Sequence, residues 1–306
     1  MIALPALPFT FAAEDVFTSE FRLPPDHPGW SRRSQTTTDA VLIAFPRVPV
    51  AIRHETRGEV IADGLSAVLY SPGQAYSRRL VGADGDDCTI VAVTREVAAE
   101  AARAFDPAAT DPDLFRFPFV AANVSRGALL AVQATRVAAT RRDAIGSDEL
   151  RESLLWAVGE VVASGYRERA APSPARTATV VAHRDIARAV REHIGRDVAS
   201  RASLDDLAAH VNVSPFHLAR LFRAQTGTSI HAYRTELRVR AALAPIADGH
   251  RLADVAQLIG FASHSHLTDR FTRAFGVSPL EWRRALGSSR QMRTIMEAQG
   301  RAAFIA

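Results

Sequence analysis

The chain has 306 residues, of which 47% are hydrophobic, and it carries a formal net charge of +4. This length exceeds what one hydrophobic core usually needs, so it predicts two domains. The single cysteine, Cys88, excludes an intramolecular disulfide and a cysteine-cluster metal site. Its apolar neighbours predict a buried thiol. With no leader-like start and no apolar run near ~18 residues, we expect a cytoplasmic protein without a membrane span.

Charge is distributed unevenly, and every Lys-or-Arg position is an arginine. Residues 1–179 hold 19 arginines against 22 acidic residues, whereas residues 180–290 hold 16 against 10. Eight of the ten histidines also lie in the second segment. A basic segment joined to a slightly acidic one predicts a nucleic-acid contact confined to the C-terminal part.

The N-terminal half has the sequence pattern of a β-rich domain. We expect its first forty residues to be irregular and to form an arm or a cover, because residues 24–29 are rich in turn-forming residues. Six short β-like runs follow, separated by turn residues. They span residues 41–45, 50–54, 59–61, 67–70, 75–77 and 89–93. Six runs at this spacing predict a barrel or a jelly roll.

A β-barrel can hold a metal or an organic ligand, and its polar residues bear on both. A metal site needs two or three histidines and a carboxylate, and only His54 lies in the strand region. We therefore expect no metal, no cofactor and no catalysis. If the barrel binds a small-molecule effector, the candidate contacts are Arg47, His54 and Tyr76. Arginine suits a carboxylate or phosphate, and tyrosine suits a sugar or an aromatic edge, which leaves the effector's identity open.

A helical hairpin is predicted after the strands. A short helix over residues 96–105 and a loop rich in proline and phenylalanine lead into helices over 123–142 and 147–166, joined by a turn at 145–147. The second helix has an apolar stripe formed by Leu150, Leu154, Leu155, Val158, Val161 and Val162. One face of the hairpin should cover the barrel, and a stripe this long also permits a homodimer, so covering alone and covering together with dimerisation both stay open.

The segment 169–176 contains two prolines and small residues, which predicts an inter-domain linker. The expected organisation is a sensor and dimerisation domain over 1–168, a linker over 169–178 and a helical domain over 179–290. The helical domain should begin with a helix over 180–194 and contain one long helix over 229–247.

The helical domain contains the same two-helix pattern twice, near 203–227 and 251–276. In the first copy, Leu204, Leu207, Ala208 and Val211 form an apolar helical face, a break follows, and Leu218, Leu221 and Phe222 begin a second face. The second copy repeats this arrangement with Leu252, Val255, Ala256 and Ile259, then Leu267 and Phe271. Two short helices joined by such a turn form a helix-turn-helix, whose second helix fits the DNA major groove.

The ends of each second helix can also be predicted. Ser214 and Ser263 are placed as N-caps, with Pro215 at the first helical position of the first copy. Gly227 and Gly276 should terminate these helices, since the residue past a helix end often has positive φ.

Residues from about 180 to 286 resemble the DNA-binding domain of the AraC/XylS family of transcription regulators. The resemblance lies in Ser214-Pro215-Phe216-His217-Leu218-Ala219-Arg220-Leu221-Phe222-Arg223, in Gly260-Phe261, and in Ala274-Phe275-Gly276-Val277-Ser278-Pro279. More loosely, residues 61–76 with 85–89 resemble the cupin-like sensor half of such regulators. The resemblance implies an α+β protein with a cupin-like β-barrel, a helical hairpin and an all-α domain with two helix-turn-helix units. It also implies that the hairpin dimerises and that the recognition helices enter successive major grooves.

With the apolar positions facing inward, ten residues of the two recognition helices are left for DNA. They are Phe216, His217, Ala219, Arg220, Arg223, His264, Ser265, Thr268, Asp269 and Arg273. Arg220 is the best candidate for base reading, because a guanidinium pairs bidentately with guanine, whereas Arg223 is expected on phosphate. Asp269 departs from the resembled pattern, which usually has a basic residue there. It either accepts from a cytosine amino group or pairs with Arg273 one turn on, and we favour the pair.

These features predict a DNA-binding transcription regulator controlled by a small-molecule effector, with double-stranded DNA, a second copy of the chain and RNA polymerase as partners. Two other classes stay open. A cupin enzyme with a helical appendage would require a metal, and a purely architectural DNA binder would lack an effector. The effector, the operator and the direction of regulation do not follow from the sequence.

Overall fold

The computed structural model describes residues 2–3, 9–30, 32–36, 39–55, 57–141, 147–170, 178–286, 288, 291–292, 294–295 and 298. Within these residues the N-terminal half is built from strands and a helical hairpin, and the C-terminal half is helical. The predicted α+β fold class is therefore confirmed.

Two sheets form the N-terminal half. The described strands are β1 (Ile2–Ala3), β2 (Phe9–Ala12), β3 (Val16–Leu23), β4 (Arg33–Gln35), β5 (Val41–Pro46), β6 (Val50–His54), β7 (Gly58–Ala62), β8 (Ser66–Tyr70), β9 (Ala75–Leu80), β10 (Asp86–Val93) and β11 (Ala121–Asn123). One sheet has the order β1-β4-β9-β6-β7 and the other β11-β8-β5-β10-β3-β2. The described pairings are antiparallel except β1 with β4. All six β-like runs predicted from the sequence are strands.

The two sheets pack face to face around a shared apolar layer. Phe21, Leu42 and Ile90 of the six-stranded sheet belong to the same buried cluster as Val50 and Ile52 of the five-stranded sheet. Alternating side chains along each strand supply this layer, as expected for strands with one face inward. We call this two-sheet unit the β-sandwich.

The expectation that the first forty residues are irregular is wrong. Strand β3 pairs along its whole length with β10 and also with β2, so it is an interior strand of the six-stranded sheet. Its sequence hides this because Thr18 and Ser19 interrupt the apolar alternation, yet both are buried. Tertiary context overrides the weak local pattern here.

The helices follow the sequence-based boundaries within a few residues. They are α1 (Arg95–Ala102), α2 (Arg126–Arg141), α3 (Ser147–Ala170), α4 (Ala178–Arg196), α5 (Leu204–His210), α6 (Pro215–Thr226), α7 (Ile230–Ala241), α8 (Leu243–Ala247), α9 (Leu252–Leu258), α10 (His264–Phe275) and α11 (Pro279–Ala285). A 3-10 turn spans Pro107–Thr110. No described helix is both long enough and apolar enough to cross a membrane.

The apolar stripe of α3 is turned inward. Leu150, Leu154, Val158, Val161 and Val162 are all buried, and the last four belong to a core shared by α2 and the six-stranded sheet. These side chains therefore cover the sandwich, and homodimerisation through the hairpin stays a prediction. The predicted turn at 145–147 lies mostly outside the described residues, because description resumes at residue 147.

The predicted single helix over 229–247 is instead two helices, α7 and α8. Pro245 explains the break, because it has no N–H to donate to the carbonyl of Ala241 and its ring crowds that carbonyl. The linker prediction also changes at its edges. Helix α3 continues through Ala170 and α4 begins at Ala178, and residues 171–177 of the predicted linker lie outside the described residues.

The C-terminal helices have two apolar cores. The first contains residues of α4, α5 and α6 with the first part of α7, and Leu65 of the β-sandwich packs against it. The second contains α8, α9, α10 and α11 and is continuous with the core of α2 and α3. Each helix-turn-helix unit is therefore packed on the N-terminal half.

Candidate nucleic-acid interface and inter-sheet cavity

Both helix-turn-helix units turn through one residue with left-handed backbone. After α5 this residue is Asn212, with φ of 54°, and after α9 it is Gly260, with φ of 79°. A Cβ at Gly260 would lie 2.7 Å from the backbone of Ala199, so glycine is required there for space as well as for conformation. The repeat predicted from the sequence is thus a repeat of backbone geometry.

The predicted caps of the second helix in each unit are present. Ser214 accepts a hydrogen bond from the N–H of His217, and Ser263 accepts one from the N–H of His266, each at 3.2 Å. Gly227 and Gly276 end the helices with φ of 74° and 69°. These caps satisfy amide groups that would otherwise lack partners at the helix start.

Helix α6 presents a basic, exposed surface. Its side chain Phe216 is 78% exposed, and Ala219, Arg220 and Arg223 are exposed as well. Neither arginine makes an ion pair with any residue that the structure describes, so both charges face solvent. His217 is only half-exposed, because its ring lies 5.7 Å from the ring of His183 on α4.

Helix α10 presents a more balanced surface. His264, Ser265, Asp269 and Arg273 are exposed, whereas Thr268 is half-buried. Arg273 donates to Asp269 at 2.9 Å, so the predicted i to i+4 pair is formed. Part of the positive charge on this helix is consequently neutralised, in contrast to α6.

A small cavity lies between the two sheets of the β-sandwich. It has a volume of about 30 Å³, and its walls are mostly apolar, with Phe21, Ile52 and Ile90 among them. Two polar groups of opposite charge, Arg78 and Asp86, also line it. We call this space the inter-sheet cavity.

Of the three effector contacts predicted from the sequence, His54 and Tyr76 are partners across β6 and β9, whereas Arg47 lies apart from them. Tyr76 lines the inter-sheet cavity, whereas Arg47 and His54 do not. Arg47 is engaged elsewhere, in ion pairs with Asp87 and with Glu20 and in a hydrogen bond of 2.6 Å to Thr89. Burial, helped by the charge of Arg57, lowers the pKa of His54 to about 4, so this imidazole is neutral near pH 7.

The candidate effector contacts predicted from the sequence did not include Arg78 and Asp86. Arg78 shares a strand face with Tyr76, two residues before it, so the period of 2 was the available signal. A charged residue on an inward face is unusual and identifies a special environment. Within the described residues no group of three side chains is arranged to hold a metal ion.

A polar interface joins the β-sandwich to the C-terminal helices, and no sequence pattern predicted it. Its centre is Asp63, which is 1% exposed and lies in the turn between β7 and β8. Arg191 of α4 donates to the Asp63 carboxylate at 2.7 Å, and the Tyr233 hydroxyl of α7 donates to the same oxygen. The N–H of Leu65 donates to the other carboxylate oxygen at 3.0 Å.

A second set of contacts ties α7 to the end of β11. Arg240 donates to the carbonyl of Gly64 at 3.1 Å and to that of Val124 at 2.9 Å. Arg126 of α2 pairs with Glu236 at 2.7 Å, and Glu236 also pairs with Arg240. These bonds hold α7, which connects the two helix-turn-helix units, against the N-terminal half.

The family model for a helix-turn-helix domain matches residues 207–285, which contain the second repeated unit and all but the start of the first. The C-terminal region is an AraC-type helix-turn-helix domain. Its match begins inside α5 and ends at the last residue of α11, so the matched residues are those that form the repeat.

Curated relatives match the AraC-type domain. The transcriptional regulator RipA of Corynebacterium glutamicum is 37% identical over 93 residues, covering 30% of this chain and 28% of RipA. The transcriptional regulator MtrA of Neisseria gonorrhoeae is 33% identical over 86 residues, covering 28% and 29%. The chain thus spans less than a third of the length of either relative.

Some solved structures are similar to about a third of this chain, and others to most of it. An AraC-type regulator from Chromobacterium violaceum is 24% identical and covers 35% of this chain and 97% of that chain, with a TM-score of 0.33. ToxT from Vibrio cholerae, in a structure titled as bound to unsaturated fatty acid, is 11% identical and covers 88% and 95%, with a TM-score of 0.36.

Proposed function

We propose that this protein is a sequence-specific DNA-binding transcription regulator that works in the cytoplasm. The observation that carries the proposal is the pair of helix-turn-helix units, each with an exposed second helix on the basic part of the chain. The relatives of the AraC-type domain are named as transcriptional regulators, which supports the same function. Helix α6 and helix α10 each enter a major groove in this proposal.

Base reading is assigned first to Arg220. Its exposed guanidinium is free to pair bidentately with O6 and N7 of guanine, and Arg223, one turn later, contacts phosphate. Phe216 lies against a thymine methyl group. The remaining contacts are His217 and Ala219 on α6, and His264, Ser265, Thr268, Asp269 and Arg273 on α10.

The sensor part is the β-sandwich, and the inter-sheet cavity is the place we propose for a small-molecule effector. Ala62 lines that cavity and is followed by Asp63, which bonds to Arg191 and Tyr233 of the AraC-type region. A ligand that displaces the wall at Ala62 therefore acts on the interface that holds the first unit. The division between sensor and DNA-binding parts falls between α3 and α4.

Dimerisation is proposed through the outer face of α3, because five of the six residues in the stripe from Leu150 to Val162 are buried inside the chain. Leu155 and Trp156 remain half-exposed on that outer face, and a Cβ at Gly159 would meet no atom within 4 Å. Close helix approach is favoured where such a small residue lies between larger apolar ones. RNA polymerase is proposed as a further partner of the DNA-bound protein.

The experiment begins with the full-length chain and a pool of random duplexes, from which bound fragments are selected and sequenced. Affinity for the selected site should fall steeply as salt increases, because arginines displace counterions from phosphates. Arg220→Ala should weaken binding to that site by about 1–3 kcal/mol and leave random DNA nearly unaffected. Arg223→Ala should weaken both.

Arg103→Ala is the matched control, since Arg103 is an exposed arginine of the N-terminal half that pairs only with nearby Glu100 in the described structure. It should leave DNA binding unchanged. Equal losses from Arg220→Ala on selected and random DNA would contradict base reading by Arg220. If selection returns no shared sequence, the proposed function itself fails.

A further inference from the structure

The inter-sheet cavity contains two buried polar atoms that lack hydrogen-bond partners. They are Nε of Arg78 and Oδ1 of Asp86, and neither has a partner within the described part of the chain. Both residues are at least nine-tenths buried, and both line the cavity. An unpaired polar atom removed from water is costly, so these atoms indicate a ligand or a water that the cavity is built to receive.

The other bonds of these residues fix them in place. Arg78 donates to the Tyr76 hydroxyl at 2.7 Å, and its guanidinium carbon lies 4.4 Å from the centroid of the Phe21 ring. Its Nη1 is 3.5 Å from Oδ2 of Asp86. The thiol of Cys88, a weak donor, is the neighbour of the Asp86 carboxylate. A rigid donor and a rigid acceptor therefore face the same small space.

The charged side chains that line the cavity determine which net charge a ligand can have. Arg78 and Asp86 compensate each other, and the cavity has no third ionisable carboxylate or guanidinium among its lining residues. A charged ligand would meet one attractive and one repulsive partner and would lose its hydration. An uncharged ligand avoids both costs.

One hydroxyl group satisfies both orphaned atoms, because a hydroxyl has one donor and two acceptor lone pairs. It can donate to Oδ1 of Asp86 and accept from Nε of Arg78. The remaining walls are apolar or aromatic, including Phe21, Tyr70 and Tyr76. They suit a compact apolar body, particularly a ring.

We infer that the inter-sheet cavity binds an uncharged, compact alcohol or phenol through a single hydroxyl held between Arg78 and Asp86. This rests on the proposed effector function of the cavity and adds the chemical class of the ligand. With about 30 Å³ available, the space as it stands holds little more than the hydroxyl group or one water. The body of the ligand therefore displaces the walls, of which Ala62 beside Asp63 is one.

The test uses four probes of similar size with the full-length protein: phenol, toluene, benzoate and benzylammonium. Binding is measured by titration calorimetry or ligand-observed NMR at one pH and salt. Phenol should bind at least tenfold more tightly than each of the others, because it alone is uncharged and carries a hydroxyl. Equal or tighter binding of toluene or benzoate would overturn the inference, and so would an absence of phenol binding that leaves only water in the cavity.

Two isosteric variants locate the contact. Asp86→Asn should weaken phenol binding at least tenfold, whereas Asp87→Asn, at the next residue, should not, because Asp87 pairs with Arg47 away from the cavity. Folding of each variant is checked by its thermal transition. If Asp86→Asn does not fold, the probe comparison in the unmodified protein still decides the question.

Labelling of Cys88 is a second test of where the ligand binds, since Cys88 is the one cysteine of the chain and lines the cavity. Bound phenol should slow its labelling by a thiol reagent, and unchanged labelling at saturating phenol would place the ligand elsewhere. DNA binding is measured in the same samples. If the protein binds its selected DNA but does not bind phenol, the ligand class alone is refuted. If it shows no specific DNA binding even without phenol, the proposed function is refuted.

Discussion

Removing the Asp63 carboxylate should weaken the interface between the β-sandwich and the AraC-type region and destabilise the protein. In the variant Asp63→Ala, Arg191 keeps its charge without a buried partner and the Tyr233 hydroxyl loses its acceptor. Truncating one partner of a fully buried, hydrogen-bonded pair costs about 3–5 kcal/mol, and the lower end of that range applies here because the Arg191 side chain is 28% exposed. We therefore expect the free energy of unfolding at pH 7 to fall by about that amount.

The effect should depend on pH in one direction. Burial raises the pKa of Asp63, but the charge of Arg191 and the hydrogen bonds from Tyr233 and Arg191 outweigh it and hold the pKa below its ordinary value. A carboxyl group whose pKa is lowered by folding stabilises the protein fully above its unfolded pKa of about 3.9. That stabilisation is lost as pH falls through the folded value, so the difference between wild type and Asp63→Ala should shrink in acid.

Urea denaturation followed by fluorescence and by far-ultraviolet circular dichroism measures this difference. Asp248→Ala is the matched control, since Asp248 also pairs across the two halves, with Arg136 at 3.0 Å, but is half-exposed. An exposed pair is worth about 0–1 kcal/mol, so the control should change little. A loss below about 1 kcal/mol for Asp63→Ala would refute the assignment of Asp63 as the centre of the interface.

Three further predictions follow from individual side chains. Folding lowers the pKa of His54 to about 4, so as pH falls the unfolded state binds the proton first. The free energy of unfolding should therefore fall by up to about 3 kcal/mol between pH 6.5 and pH 4. Thermal unfolding measured over a pH series should show less of this loss in His54→Gln. Asp269→Ala should raise affinity for random duplex at fixed salt, since it releases Arg273, and selective loss of site-specific binding would instead assign base reading to Asp269. Trp156→Glu should convert a dimer to a monomer in sedimentation at tens of micromolar, roughly the range of a weak specific interface, and a monomeric wild type would count against the α3 face.

Local sequence patterns predicted the AraC-type region in detail. Ser214, Ser263, Gly227 and Gly276 cap their helices as expected, because capping depends on residues within one turn of the helix end. The Asp269 to Arg273 pair is equally local, being set by the i to i+4 spacing. The prediction of one helix over 229–247 was wrong although its local signal, the helix-breaking Pro245, is present in the sequence.

The sequence by itself determined the repeated helix-turn-helix, its caps, the six central strands and the charge difference between the two halves, because short-range periodicity and composition encode these features. Only the tertiary structure decided that β3 lies inside a sheet, that the α3 stripe faces inward, and that Arg47 is paired while Arg78 and Asp86 face a cavity. The same holds for Asp63, whose partners lie 128 and 170 residues away along the chain. Burial and pairing at such separations depend on how sheets and helices pack, and no pattern within one element carries that information.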